Sequence, residues 1–221
     1  MHDEAFLKEV AAQLRKPSGE FGTEVALAMN ESNKTMNLAT ISALQIEEGN
    51  HILEIGMGNG FFVSQILEQA DDLRYTGIDY SEDMVQLASS VNREYIEKGL
   101  AVFHTSPAQH LPVSEQSIDR LFTINTLYFW NDHTSILNEF RRVITLEGLL
   151  VISIRPENCL KEYPSTQFNF EYYTNEKVSS LLEDHGLAVQ EIINKKEPET
   201  EVLGKVIIPE YSIIIASIKA T

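Results

Sequence analysis

The chain has 221 residues, 43% of them hydrophobic, which is enough to bury one substantial core and predicts a single domain over residues 1–221. Its 17 basic and 33 acidic residues give a formal net charge of −16, which opposes binding to nucleic acid and to anionic membrane surfaces. The single cysteine, Cys159, excludes an intrachain disulfide and a cysteine metal cluster.

The first residues of the chain do not show the pattern of a signal peptide, and no segment shows the pattern of a membrane span. Met1 to Glu4 lack the basic and then apolar order of a secretory signal, and no apolar run approaches the ~20 residues that cross a bilayer. We therefore expect a soluble, cytoplasmic protein. Residues 1–48 show helical patterns interrupted at Lys16 to Gly19, and they predict a helical cap over the active edge of a sheet.

Residues 49–155 alternate short apolar runs with helical patterns, which is typical of βαβ units in a parallel sheet. We predict strands at 52–55, in a run ending at Asp79, and at 101–104, 118–124 and 149–154. The helices between them are predicted from apolar faces, and Gly148 is predicted to form the turn before the fifth strand. These faces comprise Phe62, Val63, Ile66, Leu67 and Ala70; Met84, Leu87, Ala88, Val91 and Tyr95; and Ile136, Leu137, Phe140, Val143 and Ile144.

Residues 156–221 complete the predicted domain. Thr174 is placed to cap a last helix that ends at Gly186, and residues 187–193 and 211–218 read as two final strands. Because no helix is predicted between those two strands, we expect them to pair antiparallel. The predicted fold class is therefore α/β, with seven mostly parallel strands, an antiparallel last strand and helices on both faces.

The most informative segment lies between the first strand and its helix. Glu54 stands two positions before Gly56, Gly58 and Gly60. Glycines permit sharp turns and close approach of a ligand to the backbone, and a helix start offers free N–H groups. Asp79, at the end of the second strand, is placed to accept hydrogen bonds from ribose hydroxyls. A dinucleotide fingerprint would need its third glycine one residue later, where Phe61 stands, and this disfavours an NAD-dependent oxidoreductase.

These residues resemble the class I S-adenosylmethionine (SAM)-dependent methyltransferases, which have a Rossmann-like fold. The resemblance covers roughly residues 50–155. It implies that Glu54 and the three glycines hold the methionine part of SAM, and that Asp79 binds the ribose. It also implies that Tyr80 and Met84 pack on the adenine. Residues 13–19, with Met29, Asn30 and Asn33, additionally resemble a leader found in a bacterial subgroup of these enzymes.

Two further segments carry implied cofactor contacts. Ser106 to Pro112 looks like the family's G-D-A-E-x-L-P loop, with Pro107 in place of the acidic residue that reads the adenine amino group. The backbone N–H of Ala108 remains available to the adenine ring, while the amino group must find Ser106, Gln109, a carbonyl or water. Asn125 matches the position whose backbone contacts the methionine amino group.

The candidates for chemistry and for the acceptor pocket are weaker. His133 and Tyr128 are possible catalytic groups, although a histidine that opens a helix is more often a surface or capping residue. Trp130 either lines the acceptor pocket or packs a helix on the sheet. Tyr163, Phe170 and Tyr172 form either a lid over the acceptor or an aromatic cluster under a long loop. The six histidines show no metal-binding spacing, so we predict no metal.

The leading functional hypothesis is methyl transfer from SAM to a small-molecule acceptor, with S-adenosylhomocysteine (SAH) as the second product. A SAM-binding protein without transferase activity, acting as a sensor or partner module, is the alternative. The sequence names neither the acceptor nor the methylated atom, and it sets no oligomeric state.

Overall fold

A computed structural model describes residues 3–219. Met1 and His2, which belong to the segment used to predict the absence of a signal peptide, lie outside the described residues, as do Ala220 and Thr221. Residues 4–43 are mostly helical, as predicted for the N-terminal cap, and the strands begin at His51.

Nine α-helices are present in the described part of the chain. They are α1 (Glu4–Arg15), α2 (Gly19–Ser32), α3 (Lys34–Ala43), α4 (Val63–Leu67), α5 (Glu82–Val91), α6 (Arg93–Glu97), α7 (His133–Val143), α8 (Glu157–Leu160) and α9 (Asn175–Asp184).

Nine strands accompany them within residues 3–219. They are β1 (His51–Ile55), β2 (Arg74–Asp79), β3 (Ala101–Thr105), β4 (Ile118–Ile124), β5 (Ile144–Ile154), β6 (Leu187–Lys196), β7 (Thr200–Val202), β8 (Lys205–Ile207) and β9 (Glu210–Ile218).

Seven strands form one sheet in the order β3-β2-β1-β4-β5-β9-β6. The first five pair in parallel, whereas β9 is antiparallel to both β5 and β6. This confirms the predicted seven-stranded, mostly parallel sheet with an antiparallel last strand. Strands β7 and β8 form a separate hairpin within the polar stretch between β6 and β9, which the sequence did not predict.

The core lies on both faces of this sheet because side chains alternate along each strand. In β1, Leu53 and Ile55 belong to the core cluster that contains apolar residues of α7 and α9, while Ile52 belongs to the cluster that contains residues of α3 and α4. Helices therefore cover both faces. The Thr40 and Ser153 hydroxyls, 2.7 Å apart, fix α3 to β5.

Three local predictions differ from the structure. The helix predicted over 62–70 is reduced to α4, because i→i+3 bonding from Gln69 N–H to Ile66 C=O tightens and ends it. The predicted stripe from 84 to 95 is divided between α5 and α6 at Asn92, and Val91 is 59% exposed. The Asn92 side chain is buried and donates to Gly60 C=O, and this tertiary hydrogen bond interrupts the predicted helix.

Gly148 does not form the predicted turn, because β5 follows α7 directly and continues through it. The register of β4 against β5 shifts between Ile118 and Arg120. A Cβ at position 148 would lie 2.5 Å from Ile144 Cγ2 and 3.0 Å from Ile118 O. Glycine is therefore required here for a close approach between chain segments.

Every helix between residues 3 and 219 is too short or too polar to cross a bilayer.

Candidate functional site

A cavity of about 360 Å³ lies at the carboxyl ends of the parallel strands, under the N-terminal helices. Segments that follow β1, β2 and β3 line one half of it, and we call this the cofactor half. It includes Glu54, Gly56, Gly58, Asp79, Tyr80, Met84, Ser106, Pro107 and Ala108. The segment after β4, together with α2 and the start of α3, lines the other half, which we call the acceptor half. It includes Met29, Asn30, Asn33, Asn37, Asn125, Phe129, Trp130 and Asn131.

The three glycines of the loop after β1 all have positive φ, but each meets a different environment. A Cβ on Gly56 would lie 2.4 Å from Thr126 Cγ2, so this glycine lets the loops after β1 and β4 pack together. A Cβ on Gly58 would meet no atom within 4 Å, and this residue faces the cavity. Gly60 does not line the cavity; a Cβ there would lie 2.7 Å from Asn92 Nδ2.

Glu54 is a buried carboxylate without a cationic partner among residues 3–219. The Tyr75 hydroxyl donates a hydrogen bond to Glu54 Oε2. Burial raises the pKa of Glu54 to about 7, the bond from Tyr75 lowers it, and the nearby Asp79 raises it. A positively charged ligand group beside Glu54 would restore its ionised form.

Asp79 ends β2 with its carboxylate directed along the rim of the cavity. Its Oδ2 accepts from Gly58 N–H at 3.0 Å and its Oδ1 accepts from Ser81 N–H at 2.8 Å. Burial raises the pKa of Asp79, and the hydrogen bonds from these backbone groups lower it. An ionised carboxylate has about four lone-pair positions, so acceptor capacity remains for ligand hydroxyls.

The loop between α1 and α2, which we call the cap loop, is held on the rim beside Asp79 by three hydrogen bonds. The Tyr80 hydroxyl donates to Arg15 C=O at 2.6 Å, and the Ser81 hydroxyl donates to Pro17 C=O. Gly19 N–H donates to Asp83 Oδ2 at 2.7 Å. The predicted cap therefore does lie over the active edge of the sheet, and Leu14, Arg15 and Pro17 contribute to the cavity wall.

In the loop after β3, Ser106, Pro107, Ala108 and Gln109 line the cavity. The Ser106 hydroxyl donates to His110 C=O, which closes this loop on itself. Met84 is fully buried at the first turn of α5. The four residues and Met84 thus form part of the cavity wall.

Trp130 takes part both in the cavity wall and in the packing of α7, and its role toward an acceptor stays a prediction. It lines the cavity and is 7% exposed, and it also packs edge-on against Phe140 of α7. Its indole N–H donates to the Thr126 hydroxyl at 3.2 Å. Asn125 has a φ of 57° and lines the same wall, where the Tyr128 hydroxyl donates to its Oδ1 at 3.0 Å.

The structure places the other candidates outside the cavity lining. Tyr128 is buried behind Asn125, and burial raises the pKa of its hydroxyl. His133 opens α7 and its Nε2 lies 2.6 Å from the Tyr173 hydroxyl. Phe170 packs at 4.6 Å between ring centroids on Phe129, and Tyr172 donates to Thr166 C=O. The Arg155 guanidinium lies over the Tyr163 ring, 5.5 Å from the ring centroid.

Asn30 and Asn33 were named only as part of the resemblance to a bacterial leader, and no role was predicted for them, for Asn37 or for Arg155. Asn33 stands between α2 and α3, is 9% exposed, and lines the cavity with Asn30 and Asn37. Arg155 follows β5 and donates through Nη2 to Asn33 Oδ1 at 3.2 Å. The one sequence signal available for Arg155 was an arginine directly after a predicted strand, at the carboxyl end where ligands of such sheets bind.

Within residues 3–219, no group of three or more His, Cys, Asp or Glu side chains is arranged to hold a metal ion. The buried carboxylates of Glu54 and Asp79, with the open space at Gly58, suit a ligand that combines a cationic group with a ribose.

Comparisons with known proteins agree with this geometry. A family profile described as "Methyltransferase domain" matches residues 53–152. The uncharacterized methyltransferase YdaC of Bacillus subtilis is 32% identical over 131 residues, which cover 59% of this chain and 70% of YdaC. An O-methyltransferase of Pyrenophora dematioidea is 27% identical over 182 residues, covering 78% of this chain and 67% of that protein.

Solved structures share the fold. A SAM-dependent methyltransferase from Methanosarcina mazei has a TM-score of 0.65 at 20% identity and covers 82% of this chain and 98% of its own. The geranyl diphosphate C-methyltransferase of Streptomyces coelicolor, solved with SAH, has a TM-score of 0.67 at 12% identity and covers 93% and 87%. The chain therefore belongs to the class I SAM-dependent methyltransferases, and SAM is its methyl donor.

Proposed function

We propose that this methyltransferase transfers the methyl group of SAM to a small-molecule acceptor and releases SAH. The observation that carries the proposal is a single cavity of about 360 Å³ whose two halves lie under one helical cap. This volume is in the range of small-molecule pockets, roughly 300–1,000 Å³. The net charge of −16 further disfavours nucleic acid as the acceptor.

We assign the cofactor half to SAM, with Glu54 and the loop from Gly56 to Gly60 holding the methionine part. Glu54 fits the α-ammonium group because it is a buried carboxylate that lacks a cation within residues 3–219. Gly58 fits close approach of the ligand because the space that its Cβ would fill is open. Gly60 supports the loop from behind, through its contact with α5.

The nucleoside part would then lie along the rim after β2 and β3. Asp79 would accept hydrogen bonds from the ribose hydroxyls, and Tyr80 and Met84 would contact the adenine. Ser106, Pro107 and Ala108 line the same wall, where the Ala108 N–H would donate to the adenine ring and Ser106, Gln109, a carbonyl or water would accept from its amino group. The backbone of Asn125 would meet the methionine amino group from the β4 side.

The activated sulfonium of SAM supplies the methyl group, so the chain mainly has to hold the acceptor atom about 3–3.5 Å away and in line. Trp130 and Phe129 provide apolar walls for that purpose in the acceptor half. His133 and Tyr128 lie outside the lining, and we assign them no catalytic role. Tyr163, Phe170 and Tyr172 support the acceptor half from behind rather than contact the acceptor.

The names of relatives support a small oxygen-bearing acceptor. The relatives include the O-methyltransferase of Pyrenophora dematioidea and a 27-O-demethylrifamycin SV methyltransferase of Amycolatopsis mediterranei, the latter 28% identical over 109 residues. We further propose that residues 1–221 form one cytoplasmic domain, in which 1–48 are the cap, 49–155 bind the cofactor and 156–221 support the acceptor side.

Calorimetric titration with SAM and SAH, followed by SAH release in the presence of a library of small hydroxyl compounds, tests the proposal. We expect micromolar cofactor binding and acceptor-dependent SAH release. Cofactor binding without release on any acceptor would contradict methyl transfer to small molecules and support a sensor or partner module instead.

A further inference from the structure

The acceptor half contains an asparagine whose side chain has one fixed orientation. Arg155 Nη2 donates to Asn33 Oδ1 at 3.2 Å. A guanidinium has donors only, so the oxygen of this amide must face Arg155 and its Nδ2 must face away. The usual ambiguity between the two ends of an asparagine amide is therefore absent at this position.

The Nδ2 group of Asn33 is left free to donate. It makes no hydrogen bond to any residue from 3 to 219, although the Oδ1 atom and the backbone of Asn33 do. It is also absent from the fully enclosed polar atoms without a partner, which in the described chain are Asn175 Oδ1 and Glu197 Oε1. Since Asn33 lines the cavity, its two amide hydrogens are available to a molecule bound there.

Arg155 is held in place by a buried network. Its Nη1 forms an ion pair with Glu197 Oε2 at 2.9 Å, and the two side chains are 5% and 7% exposed. Its Nη2 also approaches Ser32 C=O at 3.5 Å, and Tyr163 covers the guanidinium. A cation this firmly fixed keeps the Asn33 amide in one position and polarises it toward stronger donation.

The same residue also steadies Asn125, which follows β4 and lines the cavity. Arg155 N–H donates to the Tyr128 hydroxyl, and that hydroxyl donates to Asn125 Oδ1 at 3.0 Å. Arg155 follows β5, two strands from β1 in the sheet order, whereas the cofactor half is built after β1, β2 and β3. The Asn33 donors thus lie on the side of the cavity that the cofactor leaves for the acceptor.

Resting on the proposed function, we infer that Asn33 anchors the acceptor by donating from Nδ2 to a carbonyl or carboxylate oxygen of that molecule, with Arg155 as its positioning residue. The acceptor class is a small molecule that carries such an oxygen close to the atom that is methylated. A site built around buried donors selects strongly against analogues that lack the matching acceptor, because the donors are then left unpaired.

The test uses matched pairs of hydroxyl compounds, for example 2′-hydroxyacetophenone and 2-ethylphenol, which differ by one carbonyl oxygen. Binding to the SAH-loaded protein is measured by calorimetry, and methyl transfer is measured with SAM. We expect the carbonyl member of at least one pair to bind about tenfold more tightly, the discrimination that one good hydrogen bond provides. Asn33→Asp, which keeps the shape but replaces the donors, should abolish this preference.

Asn30→Asp is the matched control, because it adds the same charge to the same cavity. Asn30 lines that cavity but makes no bond to Arg155. It should keep the preference. Arg155→Lys retains a cation for Glu197 but loses the bond from Nη2 to Asn33 Oδ1, so the carbonyl preference should fall and the acceptor KM should rise.

The outcomes separate this inference from the proposed function. A carbonyl preference that is absent from every pair, or one that survives in Asn33→Asp, overturns the role of Asn33 even if methyl transfer is seen. Methyl transfer to no compound, with SAH bound normally, contradicts the proposed function, and the binding preferences still decide the role of Asn33.

Discussion

The two halves of the cavity are built from the chain in different ways. In the cofactor half, Gly58 N–H and the Asp79 carboxylate meet across 21 positions, within a single βαβ unit. In the acceptor half, Arg155 and Asn33 meet across 122 positions, and Glu197 adds a third distant segment. The cofactor half is therefore a local structure that many related chains can share, whereas the acceptor half depends on how the cap and the last strands pack in this chain.

The largest expected effect tests the cofactor half through Asp79→Asn. We expect the SAH dissociation constant to rise about 100-fold, or about 3 kcal/mol, because charge-assisted hydrogen bonds to the ribose are lost. Calorimetry with SAH measures it. Asp71→Asn, an exposed position before β2 and outside the cavity lining, is the control and should change the constant by less than about threefold. Equal effects of both substitutions would refute the assignment of Asp79.

Two glycines of the loop after β1 should differ in role, because Gly60 matters for stability and Gly58 for cofactor binding. Gly60→Ala should lower the free energy of unfolding by about 2–3 kcal/mol, because its Cβ would press on Asn92 at positive φ. Gly58→Ala should cost about 1–2 kcal/mol through backbone strain alone, but should weaken SAH binding about tenfold.

Urea denaturation and SAH titration of both variants check this division. If Gly58→Ala binds SAH normally, the open space at Gly58 is not where the cofactor lies.

The pH dependence of cofactor binding sharpens the role of Glu54. Its pKa is about 7 in the unliganded fold, so we expect SAH affinity to fall about tenfold as the pH is lowered from 8 to 6 and the carboxyl group is protonated. Titrations across this range measure it, and Glu54→Gln should bind more weakly with a flat profile in the same window.

Stability should show the opposite sign. The folded protein holds an extra proton on Glu54 between its ordinary pKa of 4.5 and about 7, so this group's contribution to the free energy of unfolding is lost as the pH rises through that window. An unfolding free energy that does not differ between Glu54→Gln and the parent in its pH slope would contradict the raised pKa.

The smallest effect concerns the contact between the cap and the cofactor half. Tyr80→Phe keeps the aromatic ring but removes the bond to Arg15 C=O, and we expect a two- to fivefold loss of SAH affinity, about 1 kcal/mol or less. Amide hydrogen exchange in residues 14–22 should accelerate. Tyr172→Phe, which loses a hydroxyl contact to Thr166 away from the cavity, should leave both measurements unchanged.

The sequence predicted the sheet well because the alternation of strands and helices is written in short contiguous patterns. The positions of Glu54, the glycines and Asp79 at strand ends followed from that alternation, whereas their roles toward SAM came from the family resemblance and stay predictions. The split of α5 and α6 at Asn92 was missed because a tertiary hydrogen bond to Gly60 C=O overrides the helical stripe. The contact between Asn33 and Arg155 was missed because no local pattern links residues that meet only after the cap has packed on β5.

The three hydrogen bonds between the cap loop and the rim beside Asp79 also bear on the kinetics of the reaction. If SAM and the acceptor both occupy this cavity, as proposed, they share one cap, and release of either ligand requires the cap to detach. We expect an ordered mechanism in which SAM binds first and SAH dissociates last. The detachment of residues 15–19 from the rim, rather than the methyl transfer itself, would then set the turnover number.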